Sequence, residues 1–420
     1  MTSSFPVAII GGGPVGMAAA AHLVKRNKAF VLIEKGETVG AALMQWKHVR
    51  LFSPWEYTID LASEELLVLH GWTSPPKDKL PTGEEMVQDY LQPLAELPEM
   101  KPHIVTGGRV VAIQRYGIDK MKTASRETFP FEVIYEKDGA IHCVFASALF
   151  DATGTWESPN PVGASGNLAT GENENASQIY YGIPEVMGQH RSRYAGKTVA
   201  VVGSGHSAIN TLLELDRLKQ EEPDTEIVWV LRKKSVAETF GGGDNDALPA
   251  RGSLGTRASL LVKEGRVRIH SPFRTHTIEN MGGMLRLIGL SGHQTSVIDG
   301  VDDIVVNTGA RPDFSYIREL RYHADAALEC VPELADLIDP NIHSCGTVRP
   351  HGEAELRQPE KNFYVVGSKS YGRAPTFLMA TGYEQVRSIA AALSGDWEAA
   401  RKVELHLPET GVCGAGQREP

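Results

Sequence analysis

Apolar positions along this chain gather into short closed blocks separated by glycines and polar turns. Residues 7–10 are four apolar residues ended by Gly11-Gly12-Gly13, the pattern of a strand buried on both faces. Residues 17–24 are Ala-rich and apolar, which predicts a buried helix directly after the glycines. Residues 30–33 form a second apolar block that ends in Glu34. The same succession returns at 198–202, 209–218 and 226–231, a strand, a helix and a strand around Gly203-Ser204-Gly205. A chain that repeats this unit predicts two nucleotide-binding folds.

Between and after the two units the pattern predicts further elements. A short strand is expected at 50–52, closed by Ser53-Pro54. Thr82 with Glu85 three residues on is a capping box, opening a helix to about Leu94. Strands are expected at 107–115, 131–136 and 140–150, the last two joined by the Asp138-Gly139 turn. Residues 157–196 are rich in Gly, Asn, Ser and Pro and are expected to link domains. The Gly-rich stretch 240–254 is expected to be irregular, either a disordered loop or a mobile cover. Strands follow at 266–269, 285–290, 303–307 and 362–366, then a helix over 376–393 and a polar tail after Leu407. The expected fold class is α/β, with two Rossmann-like dinucleotide-binding domains, the second inserted in the first. The expected boundaries are 1–165, 190–335, 336–405 and a tail at 406–420.

The glycines carry the first chemistry. Gly11, Gly13 and Gly16 have the G-x-G-x-x-G spacing. They serve a tight turn, close approach of a pyrophosphate, and packing of the helix on the strand. The helix dipole and free amides favour that anion. Glu34, at the end of the second strand, stands where a carboxylate holds a ribose diol. In the second unit Gly203, Gly205 and Ser207 form the loop, with Ala208 at the third glycine's position. No acid ends its second strand; Arg232 and Lys233 stand there, which suits the 2′-phosphate of NADPH rather than NADH. Trp46 and Arg50, in an aromatic-rich segment after Glu34, are expected to wall the cofactor site.

Composition narrows the partners. The net charge of −10, with no basic block, argues against nucleic acid and anionic membranes. No apolar run is long enough to span a bilayer, and no signal peptide is legible, so a cytoplasmic protein is expected. The cysteines Cys143, Cys330, Cys345 and Cys413 form no C-x-x-C and suggest no disulfide framework or metal site. No catalytic triad or acid pair is legible. His48, His343 and His351 are candidate proton carriers set against ordinary structural roles.

Two nucleotide loops, the turns Thr153-Gly154 and Thr308-Gly309, and a late strand entering Gly367-Ser368 resemble the two-dinucleotide-domain flavoproteins. These are the thioredoxin-reductase-like enzymes and flavin-containing monooxygenases. The resemblance spans nearly the whole chain. It implies FAD on the first loop and NADPH on the second, with Thr153, Gly154, Gly367, Ser368 and Thr376 also at the cofactor. Two departures separate the chain from the disulfide reductases: it lacks a paired redox cysteine, and Ser368 replaces their Asp after the late glycine. The monooxygenase signature F-x-G-x-x-x-H is not intact; His190 and Tyr194 are its fragments. The expected reaction is NADPH-dependent reduction of FAD, then oxygenation of a soft nucleophile by O2 activated as a flavin peroxide. The alternatives are a reductase or oxidase that inserts no oxygen, and a thiol-based binding or sensing protein. Segments 341–347, 369–376 and 407–413 are similar to a bacterial flavoprotein group associated with arsenic resistance. That resemblance implies a trivalent arsenical as the small-molecule substrate, with Cys330, Cys345 and Cys413 as candidate soft ligands. Oligomeric state is left open.

Overall fold

The structure, a computed structural model, describes residues 5–240, 248–342 and 348–405. The chain divides into two compact units: one closes at Ser158 and resumes at Arg311, and Pro159–Ala310 form the other. The second unit is thus an insertion in the first.

In the first unit, β1 (Val7–Ile10), β2 (Phe30–Ile33) and β3 (Ile104–Val105) belong to a parallel sheet. A three-stranded antiparallel sheet follows, of β4 (Arg109–Arg115), β5 (Phe131–Lys137) and β6 (Ala140–Ala146). The expected single strand over 140–150 is broken at Ser147. There the chain leaves β6 and enters β7 (Ala148–Asp151), which pairs with β1 in the parallel sheet. The Ser147 hydroxyl donates to the Phe5 carbonyl at 2.9 Å and pins the crossing point.

In the second unit, β8 (Ile179–Tyr181) lies inside the expected linker. It is followed by β9 (Thr198–Val202), β10 (Glu226–Val230) and β11 (Arg268–His270). Then come the antiparallel strands β12 (Arg274–Met281), β13 (Met284–Ser291) and β14 (Gln294–Val301), and finally β15 (Asp303–Val306). β16 (Phe363–Val365) returns to the first unit. The two parallel sheets run β16-β7-β1-β2-β3 and β8-β15-β9-β10-β11. Each unit therefore has a five-stranded parallel sheet and a three-stranded antiparallel one, inserted before β7, the fourth parallel strand, in the first unit and before β15, the fifth, in the second.

The duplication reaches individual hydrogen bonds. Gly11 N–H donates to Ile33 O at 2.9 Å, and Gly203 N–H to Val230 O at 3.2 Å. Ala152 N–H donates to Ile10 O at 2.9 Å, and Asn307 N–H to Val202 O at 2.8 Å.

Helices pack closely where small residues permit it. Helix Pro14–Lys25 carries Ala18, Ala19, Ala20 and Ala21, each 0% exposed. Helix Met379–Leu393 meets it at Gly382, where a Cβ would lie 2.5 Å from Val15 Cγ2. Burial of each large apolar side chain in such a core contributes about 1.5–3 kcal/mol. The helix expected over 82–94 has its capping box, then passes through a π turn at Met86–Leu91 before Gln92–Ala95. The expected irregular stretch 240–254 already holds the start of helix Pro249–Lys263; its residues 241–247 lie outside the described residues. Among the described residues no helix is long and apolar enough to cross a membrane.

Candidate functional site

The first site is built at the carboxyl ends of β1, β2, β7 and β16, where chain after each strand turns away from the sheet. Gly11 sits at φ +101°, and a Cβ there would come 2.7 Å from Ala152 O. Gly16 packs the helix on this turn, since its Cβ would lie 1.9 Å from Gly11 O. Gly13 differs from both: nothing lies within 4 Å of its missing Cβ. It is the N-cap of helix Pro14–Lys25 and makes no side-chain capping bond. Open space at an uncapped N-terminus leaves first-turn amides available to an anion.

Glu34 is held from behind. Its Oε2 accepts from Gly12 N–H at 2.6 Å and its Oε1 from Gly36 N–H at 2.7 Å. Each oxygen keeps a lone pair for a ligand hydroxyl. Trp46 packs 6.0 Å from Trp156, whose indole N–H donates to Gln45 Oε1 at 2.8 Å. Arg50 does not reach toward the glycine turn: its guanidinium donates to Leu80 O and stands 3.7 Å from the Glu85 carboxylate.

Beside the turn at Thr153-Gly154 lies a polar cluster that sequence reading did not find. Lys369 is 0% exposed and its Nζ donates to Asp151 Oδ2 at 2.7 Å, Tyr316 OH at 2.6 Å and Thr153 Oγ1 at 3.1 Å. Tyr316 OH donates to Asp151 Oδ2 at 2.8 Å, and Thr153 Oγ1 to Asp151 Oδ1 at 2.8 Å. Burial, reinforced by the Asp151 charge, holds the Tyr316 phenol protonated well above its ordinary range. Gly154 approaches Ser368, whose Oγ would lie 3.3 Å from a Cβ there. Gly367, at φ +69°, donates its N–H to Gln385 Oε1 at 2.8 Å. Gln385 Nε2 in turn donates to His351 Nε2 at 2.8 Å and Ser370 Oγ at 2.9 Å. The amide of Gly367 therefore faces the protein interior. Thr376 Oγ1 is buried with no partner, an orphan that a bound ligand would satisfy.

The second unit repeats the glycine turn. Gly203 sits at φ +142°, its absent Cβ replaced by Asn307 O at 2.2 Å, while the space at Gly205 is open. Gly205 caps helix His206–Glu221 without a side-chain bond, and Ser207 lies in its first turn. The repeat places Leu231, not Arg232, in the position of Glu34. Glu34 N–H donates to Val105 O at 2.8 Å, and Leu231 N–H to His270 O at 3.0 Å. Leu231 is buried at 1% exposed, so the basic residues start one position later. Arg232 is exposed and donates to Ala164 O at 3.2 Å; Lys233 Nζ donates to Glu238 O at 2.6 Å.

The thiols do not assemble as a soft site among the described residues. Cys330 is 1% exposed in the main core, and burial pushes its thiol up to about 12. A thiol kept protonated in a packed core is a poor soft ligand. Cys345 and Cys413 lie outside the described residues, as does His343. Of the other two candidate proton carriers, His351 is buried behind Gly367, and burial lowers its pKa. His48 lies in the segment between Trp46 and Arg50 and is half-buried. Among the described residues no group of His, Cys, Asp and Glu could hold a metal ion.

In sequence the chain is similar to ferredoxin–NADP reductase 2 of Listeria monocytogenes, 27% identical over 381 residues, 90% of this chain and 92% of that protein. It is also similar to ferredoxin–NADP reductase 2 of Shouchella clausii, 26% identical over 319 residues, 75% of this chain and 76% of that one. In fold it is similar to the bacillithiol disulfide reductase of Bacillus cereus, with TM-score 0.67 and 19% identity over 93% of this chain and 99% of that one. It is similar as well to the FAD-bound cadaverine monooxygenase of Erwinia amylovora, with TM-score 0.65 and 12% identity over 98% and 99%. The pyridine nucleotide-disulphide oxidoreductase family model matches residues 8–346. The chain belongs to the pyridine nucleotide-disulphide oxidoreductase family, a flavin-dependent oxidoreductase fold with a duplicated dinucleotide unit.

Proposed function

We propose that the first unit holds FAD, the second holds NADPH, and the enzyme is a monooxygenase acting on a small soft nucleophile. The observation that carries the cofactor reading is the pair of open, uncapped glycine turns, one beside the fixed Glu34 carboxylate and the other in a unit whose second strand is followed by Arg232 and Lys233. Gly13 and the first-turn amides take the FAD pyrophosphate, and Gly11 and Gly16 shape the turn. Glu34, already anchored by two amides, takes the adenosine ribose hydroxyls. Thr153, Gly154, Ser368 and Thr376 line the remaining edge, and the amide-to-Gln385 bond fixes the backbone at Gly367. Trp46 shields this edge, while Arg50 fixes the loop that carries it. In the second unit Gly205 and Ser207 take the NADPH pyrophosphate, and Arg232 and Lys233 the 2′-phosphate. Bound flavin would supply hydride acceptance from NADPH and two-electron reaction with O2. The protein's residues bind, orient and exclude water.

Oxygen insertion is favoured over disulfide reduction by the absence of a C-x-x-C in the whole sequence. A second reading, a reductase that passes electrons to a protein acceptor, is favoured by the sequence relatives named ferredoxin–NADP reductases. The test is NADPH oxidation with product analysis, with and without O2, across thioether, amine and trivalent arsenical substrates. Oxygenated product formed in step with NADPH loss, and only in air, supports the monooxygenase. Rapid anaerobic reduction of ferredoxin with no oxygenated product would replace it by the reductase.

A further inference from the structure

The buried cluster around Lys369 can be followed proton by proton. An ammonium has three N–H donors and no acceptor. All three are placed, on Asp151 Oδ2, Tyr316 OH and Thr153 Oγ1 at 2.7, 2.6 and 3.1 Å. Because Lys369 donates to both hydroxyls, their own protons must point elsewhere. Tyr316 lies 2.8 Å from Asp151 Oδ2 and 3.1 Å from Thr153 Oγ1; its proton goes to the nearer, charged oxygen. The Thr153 proton goes to Asp151 Oδ1 at 2.8 Å. Every proton is then committed, and an acceptor site is left over on the exposed residue of the cluster: the second lone pair of Thr153 Oγ1. Lys369 and Asp151 are 0% and 1% exposed, whereas Thr153 is exposed, at the strand edge beside Gly154 and Ser368.

We propose that Thr153 is a fixed hydrogen-bond acceptor for a hydroxyl of the bound flavin dinucleotide, and that Lys369, Asp151 and Tyr316 are positioning residues that aim it. The inference rests on the FAD reading of the first unit and deepens it. The matching donor on the ligand is an O–H of its sugar or ribityl chain, since the pyrophosphate has no donor. The carboxylate behind the threonine strengthens it as an acceptor, and the lysine cancels the carboxylate's charge at the edge. The disulfide reductases carry an acid after the late strand glycine. Ser368 stands there in this chain, and the carboxylate-backed acceptor sits one strand over, on Thr153.

The experiment titrates apo-protein with FAD and follows flavin fluorescence, with the thermal midpoint of each apo variant measured in parallel. Thr153→Val is expected to weaken FAD about tenfold, which is about 1.4 kcal/mol. Thr153→Ser is expected to stay within about twofold of wild type. Lys369→Met alone leaves Asp151 buried and unpaired and can unfold the unit, so the charge-balanced Lys369→Met/Asp151→Leu is the informative variant. It is expected to weaken FAD by a similar factor, and adding Thr153→Val to it should cost less than twofold more. Thr153→Val that binds FAD like wild type overturns the acceptor role. A Thr153→Val effect that stays tenfold in the double-variant background overturns the positioning role. Wild type that binds no FAD removes the assignment of the first unit altogether, and this inference with it.

Discussion

Gly13 and Gly16 belong to one motif, yet the structure separates their roles, and alanine at each should fail in a different way. A Cβ at Gly16 would lie 1.9 Å from Gly11 O, closer than any real methyl tolerates. The helix and the turn must move apart by about 1 Å or more, and overpacking of this kind costs about 1–3 kcal/mol. At Gly13 the backbone is extended, φ −76° and ψ −177°, and nothing lies within 4 Å of the new methyl. There the entropic gain of about 0.4–1 kcal/mol from replacing glycine offsets a capping loss of similar size. Apo Gly13→Ala should therefore melt with wild type, whereas apo Gly16→Ala should melt several degrees lower. The methyl at Gly13 fills the space in which a pyrophosphate meets the first-turn amides. Loss of two charge-assisted hydrogen bonds, at about 1.5–3 kcal/mol each, weakens FAD more than about a hundredfold. Calorimetry of apo-protein and fluorescence titration with FAD read the two effects independently. Gly13→Ala with wild-type FAD affinity, or Gly16→Ala with an unchanged melting point, would refute the reasoning.

Arg232→Ala should raise the KM for NADPH about tenfold and leave that for NADH nearly unchanged, because in the proposed site the guanidinium would meet only the 2′-phosphate; steady-state kinetics with both cofactors checks it. Glu360 is 2% exposed and accepts from Arg115 Nε at 2.8 Å and Arg126 Nη2 at 2.8 Å, so Glu360→Leu should cost about 3–5 kcal/mol by urea unfolding, leaving two buried cations unpaired. His351 is buried and accepts from Gln385 Nε2, and burial lowers its pKa in the folded state. Its contribution to stability is present above its unfolded value of about 6.5 and is lost as pH falls below it, because only the unfolded chain takes up the proton readily. Across pH 5–8 the melting point of wild type should fall more steeply toward acid than that of His351→Gln; identical slopes would exclude His351 as the cause.

The duplicated unit was legible because its strands are buried on both faces and read as unbroken apolar runs, such as Val7–Ile10 and Thr198–Val202. The outlying sheets were harder. β12 and β14 alternate exposed polar with buried positions and carry His276, Asn280 and Asp299 among their apolar residues, so only β13 between them stood out. The break at Ser147 escaped notice for the opposite reason. β6 and β7 read as one largely apolar stretch interrupted only by His142 and Ser147, and what parts them is which sheet each segment joins. Likewise β8, three residues long, gains its place by pairing with β15 more than a hundred positions later.

The same limit governs the site. Glycine spacing and Glu34 were legible because turn, helix and acid act within one local segment. Lys369 and Asp151 are 218 positions apart; Asp151 ends the buried strand β7, and Lys369 stands four residues past β16, in the helical turn Gly367–Tyr371. That placement was nonetheless a signal. A charge at the end of an all-buried run, as Asp151 is in Ala148–Asp151, or in the buried turn that follows one, as Lys369 is after Phe363–Val365, must be solvated or paired. Two such ends on adjacent parallel strands, β7 and β16, pair most economically with each other. The second unit offers the contrast: β15 is followed by neutral Asn307, which donates to Gly182 O at 2.7 Å and needs no buried cation. The units share a backbone to the level of single hydrogen bonds, yet they differ in charge at the residues that follow their strands. On the proposed cofactor assignment, binding specificity would therefore reside in what stands just past each strand, and not in the glycine turns that the two units hold in common.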